Sequence, residues 1–155
     1  MRALGIDFGA KRIGLALSDA TGMLASPWKT IDGGGPQHAA DRVRVIAEEL
    51  AADSDGLAAL VVGLPRRLDG SDNDQTPIVR IFAAELARVT GLPVILQDER
   101  LTSHEAEERL AARERDWRKR KAKLDAAAAA VILQDYLDAR EGSGSLSAQR
   151  DEEGD

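Results

Sequence analysis

The sequence predicts an α/β domain built on a mixed sheet, antiparallel at one side and parallel at the other. Three observations carry this: the chain opens on two short apolar runs with hairpin spacing, residues 57–64 form an unbroken apolar run, and from residue 36 onward helical periodicity alternates with strand signals. Strands that follow each other through a tight turn pair antiparallel. Strands separated by a helix pair in parallel through crossovers that are right-handed by rule.

Residues 3–8 and 12–18, separated by Gly9-Ala10-Lys11, read as two strands of a hairpin, with a third strand near residues 24–31. The loop Asp32-Gly33-Gly34-Gly35 leads to Pro36, suited to a helix start, and Val43, Ile46, Ala47 and Leu50 then recur at helical spacing, predicting a helix that ends near Asp53. Leu57 to Leu64 is a strand covered on both faces, hence central, and Pro65 stops it. A polar loop from Arg66 to Gln75 precedes a helix expected to turn Ile78, Phe82, Leu86 and Val89 inward. Gly91-Leu92-Pro93 ends that helix and a strand follows over residues 93–97. Thr102 with Glu105 forms a capping-box pattern, so a helix is expected directly after Asp98-Glu99-Arg100-Leu101. Leu124 to Arg140 is alanine-rich, with Leu124, Ala128, Val131 and Ile132 on one face, and predicts a further helix. Residues 141–155 hold glycine, serine and acids without periodicity and are expected to be a disordered acidic tail, which leaves one domain over residues 1–140.

At 155 residues the chain has room for one ordinary core and no second lobe. It is 43% hydrophobic but only 3% aromatic, so aliphatic residues and alanine must build that core. Cysteine is absent, which excludes disulfides, zinc-thiolate sites, iron–sulfur clusters and a cysteine nucleophile. With two histidines and 27 acids, any metal is expected to be a hard, oxygen-bound ion such as Mg2+ or Mn2+. No stretch resembles a membrane span or a signal peptide, so the expectation is a cytoplasmic protein.

Asp7 is the most informative position, an ionisable residue inside an otherwise apolar first strand and flanked by Gly5 and Gly9. A lone buried carboxylate is costly, and a strand acid beside backbone that can be approached closely suits a metal–phosphate pair; the plainer reading is an acid that caps the hairpin. Asp98-Glu99-Arg100 stands where the last strand runs out, a favoured place for ligand groups in open α/β sheets, although acids also settle there for the helix dipole. Asp125 falls at the start of the alanine-rich helix, where an acid is again favourable without function. Together the three positions suit phosphodiester hydrolysis. That reaction needs charge neutralised on phosphate oxygens, an activated water and a stabilised leaving group, all of which two divalent ions about 3.5–4 Å apart supply. No P-loop or serine–histidine–aspartate pattern competes.

The second signal is charge. Residues 109–123 hold eight basic side chains against two acids, a net +6 within a chain of net −6. Arg118, Lys119, Arg120, Lys121 and Lys123 are the densest part of the run, with Trp117 as a candidate stacking group, and such a segment suits a phosphate backbone beside an acidic site. A solvated charged helix is the plainer alternative. Lys11 and Arg12 in the hairpin, and Arg66 after the central strand, are candidates for the same surface. Trp28 reads as edge or core packing.

The stretches Gly5-Ile6-Asp7-Phe8-Gly9-Ala10-Lys11-Arg12-Ile13-Gly14-Leu15-Ala16, Val61-Val62-Gly63-Leu64-Pro65 with Asp69-Gly70-Ser71, Asp98-Glu99-Arg100-Leu101-Thr102-Ser103, and Lys123-Leu124-Asp125-Ala126-Ala127-Ala128 resemble the YqgF/RuvX family over residues 3–140. That family is described as a candidate pre-16S rRNA nuclease and a candidate Holliday-junction resolvase. The resemblance implies a ribonuclease-H-like fold with a five-stranded mixed sheet flanked by helices. It also implies a divalent-metal site at Asp7, Asp98, Glu99 and Asp125, with Glu99 favoured over Asp98 as the metal-facing acid, Asp7, Glu99 and Asp125 as catalytic residues, and Arg100 as a nucleic-acid-binding residue. Ala10 departs from the hydroxyl residue frequent in the family hairpin, and Asp72-Asn73-Asp74-Gln75 is more acidic than the usual loop; neither removes a carboxylate.

The expected activity is metal-dependent endonucleolytic hydrolysis of structured nucleic acid, foremost the 5′ end of pre-16S rRNA in ribosome biogenesis, by a monomer or homodimer with ribosome association. The alternatives are resolution of four-way DNA junctions and RNA binding without catalysis. An actin-like nucleotide-binding fold also places an aspartate before a glycine hairpin, but needs two lobes, and this chain has length for one.

Overall fold

The computed structural model describes residues 1–99 and 117–153, with side chains described for residues 1–99 and 122–141. The elements run β1 (Arg2–Phe8), β2 (Arg12–Ser18), β3 (Ala25–Asp32), α1 (Pro36–Ala52), β4 (Leu57–Leu64), α2 (Thr76–Thr90), β5 (Val94–Asp98) and α3 (Trp117–Glu153). The helix expected from the capping box at Thr102 lies outside the described residues.

The strands form one open sheet in the order β3-β2-β1-β4-β5, antiparallel between β3, β2 and β1 and parallel between β1, β4 and β5. The expected mixed sheet is therefore present, with β1 central beside β4. Side chains alternate across it. Leu4, Ile6 and Phe8 of β1, Ile13 and Leu15 of β2, and Leu60, Val62 and Leu64 of β4 face one way and pack on Val43, Ile46 and Leu50 of α1 and Val79, Phe82 and Leu86 of α2. Phe8 and Phe82 stack with ring centroids 4.7 Å apart, the aromatic centre of a core otherwise made of aliphatics. Ala3, Ala16 and Val61 face the other way, onto Ala129, Ala130, Ile132, Leu133 and Leu137 of α3. One layer of two helices thus covers one face, and among the described residues α3 alone crosses the other.

Two expectations about helices change. In α2 the inward residues are Thr76, Val79, Phe82, Ala83 and Leu86, while Ile78 is 37% and Ile81 47% exposed. Phe82 and Leu86 turn inward as expected, while Val79 takes the place expected of Ile78, because the buried Thr76 docks the first turn. Its hydroxyl donates to the Pro65 carbonyl at 2.5 Å, and the Asn73 side chain accepts from the Gln75 and Thr76 amides. The alanine-rich segment is longer than the span Leu124–Arg140: helix is already present at Trp117, so Asp125 stands two turns inside it and the helix dipole does not explain an acid there. The helix continues through Glu153, across the residues expected to form a tail.

Candidate active site

Which acids share a face of the sheet follows from register and from the glycines. A Cβ on Gly5 would meet Leu133 Cβ at 2.7 Å and the Ala129 carbonyl at 2.8 Å, so Gly5 faces α3. Asp7, two residues on, faces the same way, and so does its cross-strand partner Gly14, whose missing Cβ would run into the backbone of Asp125. Asp7 is half-buried at the carboxyl end of β1, beneath α3.

Glu99 follows the last residue of β5 and reaches back over the sheet. Its Oε1 and Cγ, with Ile132 Cδ1, occupy the space that a Cβ on Gly63 would fill. Gly63 belongs to β4, the strand between β5 and β1. Because β4 carries no side chain there, the Glu99 carboxylate lies over β4, the strand next to β1. Asp98 differs: it pairs in register with Leu64, which belongs to the α1/α2 core, so alternation turns Asp98 to the opposite face. The two neighbours of the acid pair therefore serve different sides of the sheet.

Asp125 comes from α3, directly above Gly14. Arg12 Nε donates to its Oδ2 at 2.8 Å, in an ion pair whose side chains are 33% and 28% exposed. Arg12 lies two residues before Gly14 in β2 and so rises from the same face. Arg12, a candidate for phosphate contact, is thus paired in this structure with one of the candidate acids. The three acids Asp7, Glu99 and Asp125 all stand on the α3 face near the carboxyl ends of parallel strands, the place where open α/β sheets bind ligands. Among the described residues, however, no group of three or more His, Asp or Glu side chains comes together as a metal-holding cluster. The donor set suits a hard divalent cation in chemistry and in facing, although among the described residues it is not closed around one point.

The cationic candidates separate. Lys11 is exposed in the hairpin turn and Lys123 is exposed on α3. Arg66 is half-buried, and its Nε has no hydrogen-bond partner among the described residues. The backbone places Arg118, Lys119, Arg120 and Lys121 in the first turns of α3, while Arg100 lies outside the described residues.

The small-residue seam between sheet and helix was not anticipated. One glycine from each of β1, β2 and β4 meets α3 at its alanine-rich stretch, and that close approach is what brings Asp125 down to the sheet. The signal was legible: glycines at alternate strand positions, Gly5 and Gly14 opposite an alanine run, have no other obvious use inside strands.

A family model described as "RuvX: Holliday junction resolvase" matches residues 1–139. The chain belongs to the RuvX family. A relative named "Putative pre-16S rRNA nuclease" in Anaeromyxobacter sp. (strain Fw109-5) is 43% identical over 145 residues, covering 90% of this chain and 98% of that protein. One of the same name in Geobacillus kaustophilus is 39% identical over 142 residues, covering 90% and 99%. Among solved structures, Thermus thermophilus RuvC aligns over 92% of this chain and 97% of its own, with a TM-score of 0.52 and 16% identity. At that identity the likeness speaks for the fold alone. The RuvX chain thus has the ribonuclease-H-like architecture of RuvC, with its mixed five-stranded sheet.

Proposed function

We propose that this RuvX-family chain is an endonuclease that hydrolyses phosphodiester bonds in structured RNA, trimming the 5′ end of pre-16S rRNA, with Asp7, Glu99 and Asp125 as its catalytic acids. The observation that carries the reading is the placement of these three carboxylates on one face of the sheet, at its ligand-binding end, with α3 bringing the third down onto Gly14. The names of the relatives supply the RNA substrate.

In this reading Asp7 and Glu99, from strands on either side of β4, would hold a divalent ion with Asp125 as the third carboxylate. Bound there, Mg2+ or Mn2+ would neutralise phosphate oxygens and lower the pKa of a coordinated water. The protein's own part is positional. Gly63 leaves room for the Glu99 side chain over β4. Arg12 orients Asp125 and offsets charge among acids that would otherwise repel each other and the substrate. Lys11, Lys123 and the basic turns of α3 draw the phosphate backbone toward an acidic site in a chain of net −6.

A second substrate is favoured by the description of the matched family, the four-way DNA junction. Both substrates use the same carboxylates, so the test compares them directly. Purified protein is given a pre-16S RNA with its 5′ extension and, in parallel, a synthetic junction, with and without Mg2+ or Mn2+. The proposal expects metal-dependent shortening of the RNA. Junction cleavage with the RNA left intact transfers the reading to DNA. Salt-sensitive RNA binding with no cleavage in either metal overturns catalysis altogether.

A further inference from the structure

Trp28 is one of two tryptophans in a chain almost without aromatics, and it was expected to pack at an edge or in the core. The structure places it on the outer strand of the sheet, 39% exposed, with neither core cluster claiming it. The ladder explains how it is presented. Leu15 pairs with Lys29 and Ala16 with Pro27, so Trp28 is an extra residue in β3, and at this bulge the simple alternation of side chains is interrupted. Trp28, Lys29 and Thr30 line one wall of a groove of about 350 Å³, and Lys123, Ala126 and Ala127 of α3 line the other. Thr30 closes its floor by donating its hydroxyl to the Ala122 carbonyl at 2.7 Å. Lys29 Nζ stands 4.3 Å from the Trp28 ring centroid.

The groove opens on the same side of the sheet as the acids. Thr30 pairs with Gly14 and Gly14 with Asp7, so the groove floor and Asp7 share one rung, two strand spacings or about 10 Å apart. Above them the first described turns of α3 carry Arg118, Lys119, Arg120 and Lys121. An indole flanked by lysines, beside a basic helix end, has the makeup of a surface that stacks a nucleobase while cations hold its phosphates. Edge pairing by a protein strand is disfavoured, because Pro27 has no amide hydrogen and the bulge interrupts the ladder.

We propose that the Trp28 groove is a substrate subsite that stacks an unpaired base of the nucleic acid a few nucleotides from the bond over Asp7, with Lys29 and Lys123 on the flanking phosphates. This rests on the nuclease reading for its orientation and adds to it a requirement for single-stranded substrate next to the cleavage point.

The test uses full-length protein carrying Asp7→Asn, so that binding is read without cleavage, and two probes: an RNA hairpin with a short single-stranded extension and the same hairpin with a blunt end. Trp28→Ala is expected to weaken binding of the extended hairpin about tenfold or more and to leave the blunt one unchanged, while Trp28→Phe retains most of the affinity. Lys29→Ala is expected to reduce the salt slope by about 0.7, as one lost phosphate contact on a single strand should. Equal affinity of Trp28→Ala and its parent for the extended hairpin, or equal weakening toward both probes, overturns the subsite. A second measurement keeps the ring in place: in Trp117→Phe protein, where Trp28 is the sole tryptophan, its fluorescence is quenched by the extended hairpin and not by the blunt one. Absence of quenching at saturating RNA refutes the proposal. Persistent cleavage by Asp7→Asn would instead remove the nuclease mechanism while leaving a quenching result intact, so the two failures are distinguishable.

Discussion

Replacing Gly14 by alanine tests the seam that brings the helix acid to the sheet. The added methyl would overlap the carbonyl oxygen and carbon of Asp125 and approach the Ala126 amide, all of them backbone atoms of α3 that no rotamer change can move. Overpacking a filled site costs about 1–3 kcal/mol, and a rigid neighbour places this change toward the upper end. Alanine in a strand recovers about 0.5–1 kcal/mol of the backbone entropy that glycine loses on folding. The net expectation is a destabilisation of about 2 kcal/mol. For a domain of this size that lowers the thermal midpoint by about 4–8 °C. The assay is urea unfolding followed by circular dichroism, with nuclease activity measured in parallel, because a helix lifted off Gly14 carries Asp125 away from Asp7. An alanine variant within about 0.5 kcal/mol of wild type and fully active would show that α3 does not rest on β2 as described, and the geometry of the site would fall with it.

Gly63→Ala should act on function more than on folding: its methyl would displace the Glu99 carboxylate and press on Ile132 Cδ1, so cleavage is expected to fall severalfold more than stability alone explains, read as activity per folded molecule. Thr76→Ala strands the Pro65 carbonyl that the hydroxyl now satisfies, and a cost of about 1–3 kcal/mol is expected from denaturant midpoints. Burial, then the nearby Asp138 carboxylate, pushes the Asp135 carboxyl above its ordinary range. An acid raised in the folded state weakens folding as pH climbs through the window from its unfolded to its raised value, so Asp135→Asn should stabilise by a few tenths of a kcal/mol at neutral pH and lose that advantage below about pH 4. Asp19 runs the opposite way. Its bond from the Thr21 hydroxyl, then those from the Leu24 and Met23 amides, lower its carboxyl below the usual value, giving stability present above about pH 4 and lost as pH falls further; Asp19→Asn should flatten that part of a stability-against-pH curve.

The order of elements was legible because each strand carries a strong local signal. Leu57 to Leu64 is apolar throughout since both its faces are covered, by α1 and α2 on one side and α3 on the other. In α2 helical periodicity finds Phe82 and Leu86, but it cannot distinguish Ile78 from Val79 when the residue that anchors the first turn is a threonine. Asp7 stood out as a charge in an apolar strand. The pairing of Arg12 with Asp125 did not, because 113 residues separate them and only the sheet-to-helix approach at Gly14 makes them neighbours. For Trp28 the edge reading agrees with its place on the outer strand, but a sequence does not show that the ladder slips there or that α3 forms a groove beside it.

The central claim is that Asp7, on the α3 face at the end of β1, is indispensable to phosphodiester hydrolysis. The most direct measurement is cleavage of 5′-extended pre-16S RNA by Asp7→Asn beside wild type in Mg2+ or Mn2+, with equal folding verified by circular dichroism. A loss of at least about 100-fold with RNA binding retained is the result predicted. Undiminished metal-dependent cleavage by the folded variant would contradict the account.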